Sequence, residues 1–150
     1  MRYYNEELHI YYQVKDNRII VTDADKKIAA LKLPSKIDDY PVCVIERKAF
    51  LGCKGLREIA LPDTIEKIGE WAFAYCDNLT RISLPRKKIE LGKGVLKDDL
   101  KVNQIVVRDR GFDAASEMMV SRLLAVVATV MDAEYMMDAL EAGSEEMLVQ

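Results

Sequence analysis

Ile45, Ala49, Phe50, Cys53, Leu56, Ile59, Leu61 and Pro62 recur 23 residues later as Ile68, Ala72, Phe73, Cys76, Leu79, Ile82, Leu84 and Pro85. Apolar positions repeated at a period in the twenties mark a unit that cannot bury its hydrophobic residues alone and does so by stacking on copies of itself. The alternation in "EIAL", "RISL" and "QIVV" sends Ile59, Leu61, Ile82, Leu84, Ile105 and Val107 inward. Glu58, Ala60, Arg81, Ser83, Gln104 and Val106 then face out. These runs are expected to stack as a short parallel sheet. Phe50 and Phe73 are expected to fill the other side of the core from short helical turns, "RKAFLGC" and "EWAFAYC", with Cys53 and Cys76 one above the other as small buried groups.

The units have the form I-x-x-x-A-F-x-x-C-x-x-L-x-x-I-x-L-P. This pattern resembles the BspA-type leucine-rich repeat of bacteria over roughly residues 28–107. Upstream, "LPSKIDDYPVCVIERKAF" is similar to a longer first repeat, with the extra residues in the "DDYPV" bend. In the third unit Val95 and Leu96 replace Ala and Phe, and Asp99 replaces Cys. The strand spacing survives in Val102, Ile105 and Val107, as suits a terminal unit facing something other than another repeat. The fold class expected is α/β: a short leucine-rich-repeat solenoid, a right-handed βα-type stack with parallel strands. The resemblance implies a bacterial, non-catalytic protein-interaction module. Alternatives are a fragment of a bacterial cell-surface adhesin, and a regulatory domain joined to a longer polypeptide.

Residues 1–27 are expected to form an N-terminal β-hairpin cap. "HIYYQV" and "RIIVT" are β-prone, "KDNR" supplies the turn, and Ile10, Tyr12 and Val14 share one face. The solenoid occupies 28–110. Residues 111–150 form a C-terminal helical segment, a cap or the start of a further domain. Its first helix, about 114–131, carries a stripe of Ala115, Met119, Leu123, Val126 and Val130. Asp132 caps a second helix with Tyr135, Met136 and Leu140, ended by Gly143. "SEEMLVQ" starts like a third, with Ser144 as N-cap.

Charge is divided unevenly behind a net −3. Residues 1–110 carry 21 Lys/Arg and 17 Asp/Glu, whereas 111–150 carry one Arg and eight acids. An excess of four positive charges with no accompanying aromatic platform does not make a nucleic-acid surface. "MRYYNEELHIYYQVKDN" lacks the uninterrupted apolar stretch of a signal peptide. The longest apolar run, "LLAVVATVM", is far below the roughly 20 residues that span a bilayer. As it stands the sequence therefore suggests a cytoplasmic protein with no membrane span. It would be a cell-surface or secreted one if a leader has been removed. Three cysteines, two of them in the repeat core, argue against a disulfide framework.

Catalytic, cofactor and metal motifs are not found. The single histidine, His9, is expected on the outward face of the first hairpin strand, which leaves no Ser-His or Cys-His pair. Cys43 aligns with Glu66 and is expected to be a surface thiol. Asp16, Asp23 and Asp25 lack the glycine and distal glutamate of a calcium loop and suit turns. The candidate site residues are therefore partner-binding ones. Lys32, Glu58, Arg81, Ser83 and Gln104 are the outward polar residues of successive strands. Trp71 and Tyr75 stand where Lys48, Gly52, Gly94 and Asp98 stand in neighbouring units, and are expected side by side on a helical turn as an aromatic pair. The expected partner is a protein, with the chain a monomer or a homodimer through its C-terminal helices.

Overall fold

The computed structural model describes residues 1–85, 87–108, 122–126, 128 and 132–135. Three antiparallel strands open the chain: β1 (Arg2–Asn5), β2 (Ile10–Lys15) and β3 (Arg18–Ala24). The expected hairpin is β2–β3. Its turn residues Asp16 and Asn17 have φ of 52° and 59°, the left-handed pair that a tight hairpin requires. Ile10 and Tyr12 are buried as their shared face predicts. β1 was not legible, because "RYYN" is short and its residues are largely exposed.

The repeats build two stacks. β4 (Ala30–Lys32), β7 (Glu58–Ala60), β9 (Arg81–Leu84) and β11 (Gln104–Val107) form a parallel four-stranded sheet. Its register aligns Glu58 with Arg81 and Gln104, so the 23-residue offset is the rung spacing. β5 (Lys36–Ile37) and β6 (Tyr40–Ile45) form a hairpin through Asp38 and Asp39, which absorbs the extra length at the expected bend. β6 pairs in parallel with β8 (Lys67–Ile68), and β8 with β10 (Glu90–Leu91). On the other side of β6 lies β3, also parallel. The opening strands therefore continue this second sheet, which gives it seven strands.

The segments expected as helical turns are runs of tight turns. Ala49, Leu51 and Cys53 donate their N–H groups locally, to the carbonyls of Glu46, Lys48 and Phe50. The intervening Lys48, Phe50 and Gly52 donate across the stack to Glu70, Ala72 and Ala74, at 2.7–3.0 Å. Trp71, Phe73 and Tyr75 repeat this toward Lys93, Val95 and Lys97. The third residue of each outer turn takes positive φ: Lys48 63°, Trp71 59°, Gly94 65°, and Gly52 68°, Tyr75 58°, Asp98 60°. Such turns favour glycine there.

Between the sheets and the turns lies one core. Phe50 and Phe73 stack at 5.0 Å with their planes 18° apart, so the repeat superposes side chains as well as backbone. Cys53 and Cys76 are free and fully buried. Burial pushes the Cys53 thiol up to about 11, and the Cys76 thiol higher still, with Asp99 adding to the shift. Cys76 Sγ donates to the Phe50 carbonyl at 3.2 Å. Cys43 proves to be buried. It lies on β6 beside β3, with Arg18 of that strand against it and ion-paired to Glu66. The alignment with Glu66 could not anticipate that cover. Asp99 is 1% exposed. Its Oδ1 accepts the Cys76 N–H at 2.8 Å, while Oδ2 is buried without a partner among the described residues. Burial raises its carboxyl from 3.8 to about 8, opposed by the Cys76 N–H and helped by Asp77 and Asp98.

Residues 122–126 are helical, within the span expected for the first C-terminal helix. The buried stripe is turned from the expected one. Leu123 and Val126 are 55% and 56% exposed, whereas Leu124, Ala125, Ala128 and Ala133 join the solenoid core. Small side chains allow the closer approach. Ala115, Met119 and Val130 lie outside the described residues, as do Met136, Leu140, Gly143 and the third helix. Of the second helix expected after Asp132 only a 3-10 turn, Ala133–Tyr135, falls within the described residues, and there Asp132 Oδ1 accepts the Glu134 N–H at 3.3 Å. Its carboxylate also takes the Gly94 N–H, at 2.9 and 3.0 Å.

Three outcomes are expected from this packing. Lys48→Gly should raise the unfolding free energy by about 0.5 kcal/mol, because relief of a left-handed residue outweighs the added chain entropy. Leu51→Gly, where φ is not positive, should lower it, and the two urea midpoints should move in opposite directions. Cys53→Ser should cost about 1–3 kcal/mol by burying a hydroxyl with no acceptor. Cys76→Ser should cost less, since its hydroxyl inherits the Phe50 carbonyl. Asp99 holds its proton to higher pH in the folded than in the unfolded chain. Its contribution to stability is therefore full below about pH 4, declines as pH rises and is lost above about 8. Subtracting the Asp99→Asn stability profile from that of the parent should leave this decline and no other.

Candidate interaction surfaces

Two sets of residues were singled out by the repeat register, and the structure puts them on different sides of the stack. The exposed face of the four-stranded sheet carries the first set. Along one column run Ala30, Glu58, Arg81 and Gln104; along the next run Lys32, Ala60, Ser83 and Val106. Rungs of a parallel sheet lie about 4.8 Å apart, so the columns present side chains at that pitch. Lys32, Glu58, Arg81 and Ser83 border one hollow of about 420 Å³, floored by Ala30, Leu31, Ile59 and Ala60. Glu58 and Arg81, neighbours in the ladder, make no ion pair with each other among the described residues.

Arg108 closes one side of this face. It donates to Ser83 Oγ at 2.7 Å and to Asp63 Oδ1 at 2.9 Å, and also reaches the Leu61 carbonyl. Arg108 stands where the two preceding units have Pro62 and Pro85, so the repeat marked it only as a departure. Gln104 faces a different space. With Leu100, Val102, Asn103, Arg122, Ala125 and Val126 it lines a cleft of about 570 Å³ between the last rung and the C-terminal helix. Leu100, 84% exposed, lies at its edge. The cleft was not legible in the sequence, since it depends on where residues 122–126 pack.

Trp71 and Tyr75 sit on the run of tight turns. They are not an aromatic pair: the segment is not helical, and each residue is left-handed in its own turn. Trp71 is half-buried between the preceding and following units. Lys48 Nζ lies 5.3 Å from its ring centre. On the other side a Cβ at Gly94 would fall 2.6 Å from indole Cδ1 and 2.7 Å from Nε1. Glycine at 94 is thus what lets the indole lie flat along the column. Tyr75 is 39% exposed.

A polar cluster marks the N-terminal end. His9 lies in the turn before β2 with φ of 57°, off the strand on which it was expected, because it closes the β1–β2 connection. Tyr4 donates to Asp25 Oδ2 at 2.6 Å, and His9 Nδ1 lies 3.3 Å from the Tyr4 hydroxyl and 3.5 Å from the same carboxylate. The bond to Asp25 is the main cause that pushes the Tyr4 hydroxyl up to about 12. All three side chains are substantially open to solvent, and the cluster ties the hairpin to the start of the first rung. Asp23 pairs with Arg2 at 3.4 Å, and Asp16 occupies the hairpin turn. No group of three His, Cys, Asp or Glu among the described residues is placed to hold a metal ion. No helix among them is long and apolar enough to cross a membrane.

Solved structures of bacterial proteins share this architecture. A leucine-rich repeat protein of T. pallidum is 32% identical with a TM-score of 0.63, over 69% of this chain and 50% of that one. A leucine-rich cell surface protein of Faecalibacterium prausnitzii is 20% identical, with a TM-score of 0.61, over 71% of this chain and 30% of the other. A leucine-rich repeat protein of Bacteroides capillosus is 19% identical, with a TM-score of 0.51, over 67% of this chain and 95% of that one. The chain thus spans half the length of the T. pallidum protein and under a third of the F. prausnitzii one. Comparison with curated proteins gives no match. The BspA type leucine-rich repeat region matches residues 24–116 in six copies, and the chain belongs to that family.

Proposed function

We propose that this chain is a non-catalytic protein-interaction module that takes its partner on the exposed face of the four-stranded sheet. The observation that carries this is the hollow bordered by Lys32, Glu58, Arg81 and Ser83, in which Glu58 and Arg81 are adjacent yet not ion-paired. Charges spent on each other contribute under about 1 kcal/mol at a surface. Held apart on a rigid ladder, they offer a partner one acceptor and one donor at fixed separation. An extended protein segment bearing a base and an acid in register suits that arrangement. Gln104 extends the face toward the next cleft. Tyr75 and the outer edge of Trp71 form a separate, smaller contact surface.

The family scaffold supports protein binding as the activity class, and bacterial neighbours support a bacterial source. Burial of Leu124, Ala125, Ala128 and Ala133 in this chain's own core favours a cap role for the C-terminal segment over a homodimer seam. A second reading, a fragment of a cell-surface adhesin, is favoured by the F. prausnitzii neighbour, itself a cell surface protein. Three free buried cysteines suit the cytoplasm equally. Labelling of intact cells with a membrane-impermeant reagent separates the two locations.

Exchanging the charges, Glu58→Arg with Arg81→Glu, preserves the fold and net charge while reversing the pattern. Crosslinked partners recovered from native cells should be lost with the exchanged protein and retained with a control exchange of Lys97 and Asp98 on the turns. An unchanged set of partners removes this face as the binding surface.

A further inference from the structure

β1 is the outermost strand of the seven-stranded sheet and, among the described residues, is paired on one side only, with β2. The far end of that sheet, β10, packs against the 3-10 turn Ala133–Tyr135. β4, the first strand of the other sheet, is three residues long and carries Lys32. Natural sheets protect their edges with proline, lysine, bulges or brevity. β1 has no proline or lysine, and the irregularity of the opening strands lies elsewhere, between β2 and β3 at Tyr11 and Tyr12. Tyr3 and Tyr4 are 44% and 41% exposed. The strand is nevertheless firmly held: Tyr3 stacks on Tyr12 at 5.5 Å, Tyr4 lies 4.7 Å from Tyr11, and Arg2 covers the Tyr11 ring. An ordered, open edge can accept a further strand with little cost of ordering, and β1 is guarded only by its shortness and by Arg2.

Its chemistry selects the strand. The Asn5 carbonyl accepts the His9 N–H at 2.8 Å, and so points into the β1–β2 connection, away from the open edge. Outward and inward backbone groups alternate along a strand. Arg2 and Tyr4 therefore present their N–H and C=O to the open edge. In an antiparallel pairing centred on Tyr4, a second copy would place its own Tyr4 opposite, and bring Glu6, the first residue of its β1–β2 turn, next to Arg2. Two-fold symmetry makes that ion pair twice. Arg2 gives one N–H to Asp23 and retains further guanidinium donors. Glu6 is exposed at the first position of the turn that follows the strand. The edge is thus complementary to itself in both backbone and charge.

We propose that β1 is a self-association edge, through which two copies join antiparallel at Tyr4 with reciprocal Arg2–Glu6 pairs. A strand of four residues gives a small interface, so the dimer is weak and concentration-dependent. Sedimentation equilibrium of the full chain, from micromolar to millimolar, should show monomers converting to dimers. Arg2→Glu and Glu6→Arg should each weaken association by about tenfold or more. An equimolar mixture of the two should recover it, because only the mixed dimer restores both pairs. Tyr4→Pro, which removes an outward N–H and leaves the β1–β2 backbone bonds in place, should also remain monomeric, whereas Tyr4→Phe, which loses the same hydroxyl bond to Asp25 but keeps the N–H, should still dimerise. A parent that stays monomeric at millimolar concentration overturns the proposal. So do Arg2→Glu, Glu6→Arg or Tyr4→Pro variants that dimerise as well as the parent, or a mixture that gains nothing over its components.

Discussion

Every rung of this protein depends on the backbone of the next. In the turn segments, alternate N–H groups close local turns and the others reach a carbonyl one rung along, so that Lys48, Phe50 and Gly52 are satisfied only if residues 70–74 are in place. Buried amides left without a partner are costly. The stack therefore cannot shed a rung without stranding donors in the one before it. The same requirement fixes where the chain must be left-handed, at 48, 71 and 94 and at 52, 75 and 98. Side chains at those positions are free to vary because the constraint on them is a dihedral angle, not a packing shape.

A ladder with a direction has an end, and the last rung has no successor to accept its donors. The Gly94 N–H, equivalent to the N–H groups that Lys48 and Trp71 give to carbonyls of the following rung, goes instead to the Asp132 carboxylate. Asp99 serves the Cys76 N–H from within the core. Two acids thus substitute for peptide carbonyls where the repeat runs out. Asp132 performs this with φ of 140°, a backbone state that persists only when surrounding contacts hold it. Asp99 performs it as a buried carboxyl whose ordinary charge is disfavoured by its surroundings. The polar residue at the Cys position is therefore part of how the stack terminates.

Most of the solenoid was legible because its determinants are periodic. Ile59, Ile82 and Ile105 align in one column, Phe50 stacks on Phe73, and the long first unit turns at Asp38 and Asp39, as the offsets implied. Features that leave no periodic trace were missed. Two-residue strands such as β8 and β10 are too short to show alternation, so the second parallel stack was invisible. Turns and helices both space residues four apart, and Trp71 with Tyr75 was accordingly placed on a helix that does not form. Burial of Cys43 required knowing that β3 lies beside β6, which no local pattern encodes. In the C-terminal helix the spacing of Leu123 and Val126 points to one stripe, whereas the side packed on the core carries Leu124, Ala125 and Ala128. Of the candidate surface, the column Glu58, Arg81, Gln104 was readable from register; Arg108, which leans across it, was readable only as a break in the pattern.

The division between what repeats and what varies also bears on recognition. Strand positions Ile59 and Ile82 are held by the core and the ladder, so Glu58 and Arg81 beside them need contribute nothing to stability. Their side chains are carried by a backbone already fixed on both sides by neighbouring rungs. Binding through such groups costs little ordering of the main chain. On the proposed reading, changing them would alter what is recognised without disturbing how the rungs stack. Edges obey the opposite rule. On β1 the backbone itself is the unsatisfied group, and specificity must come from the few side chains that flank it, Arg2 and Glu6. If both proposals hold, a face and an edge of the same solenoid would select partners by different chemistry, side-chain pattern in one case and backbone register in the other.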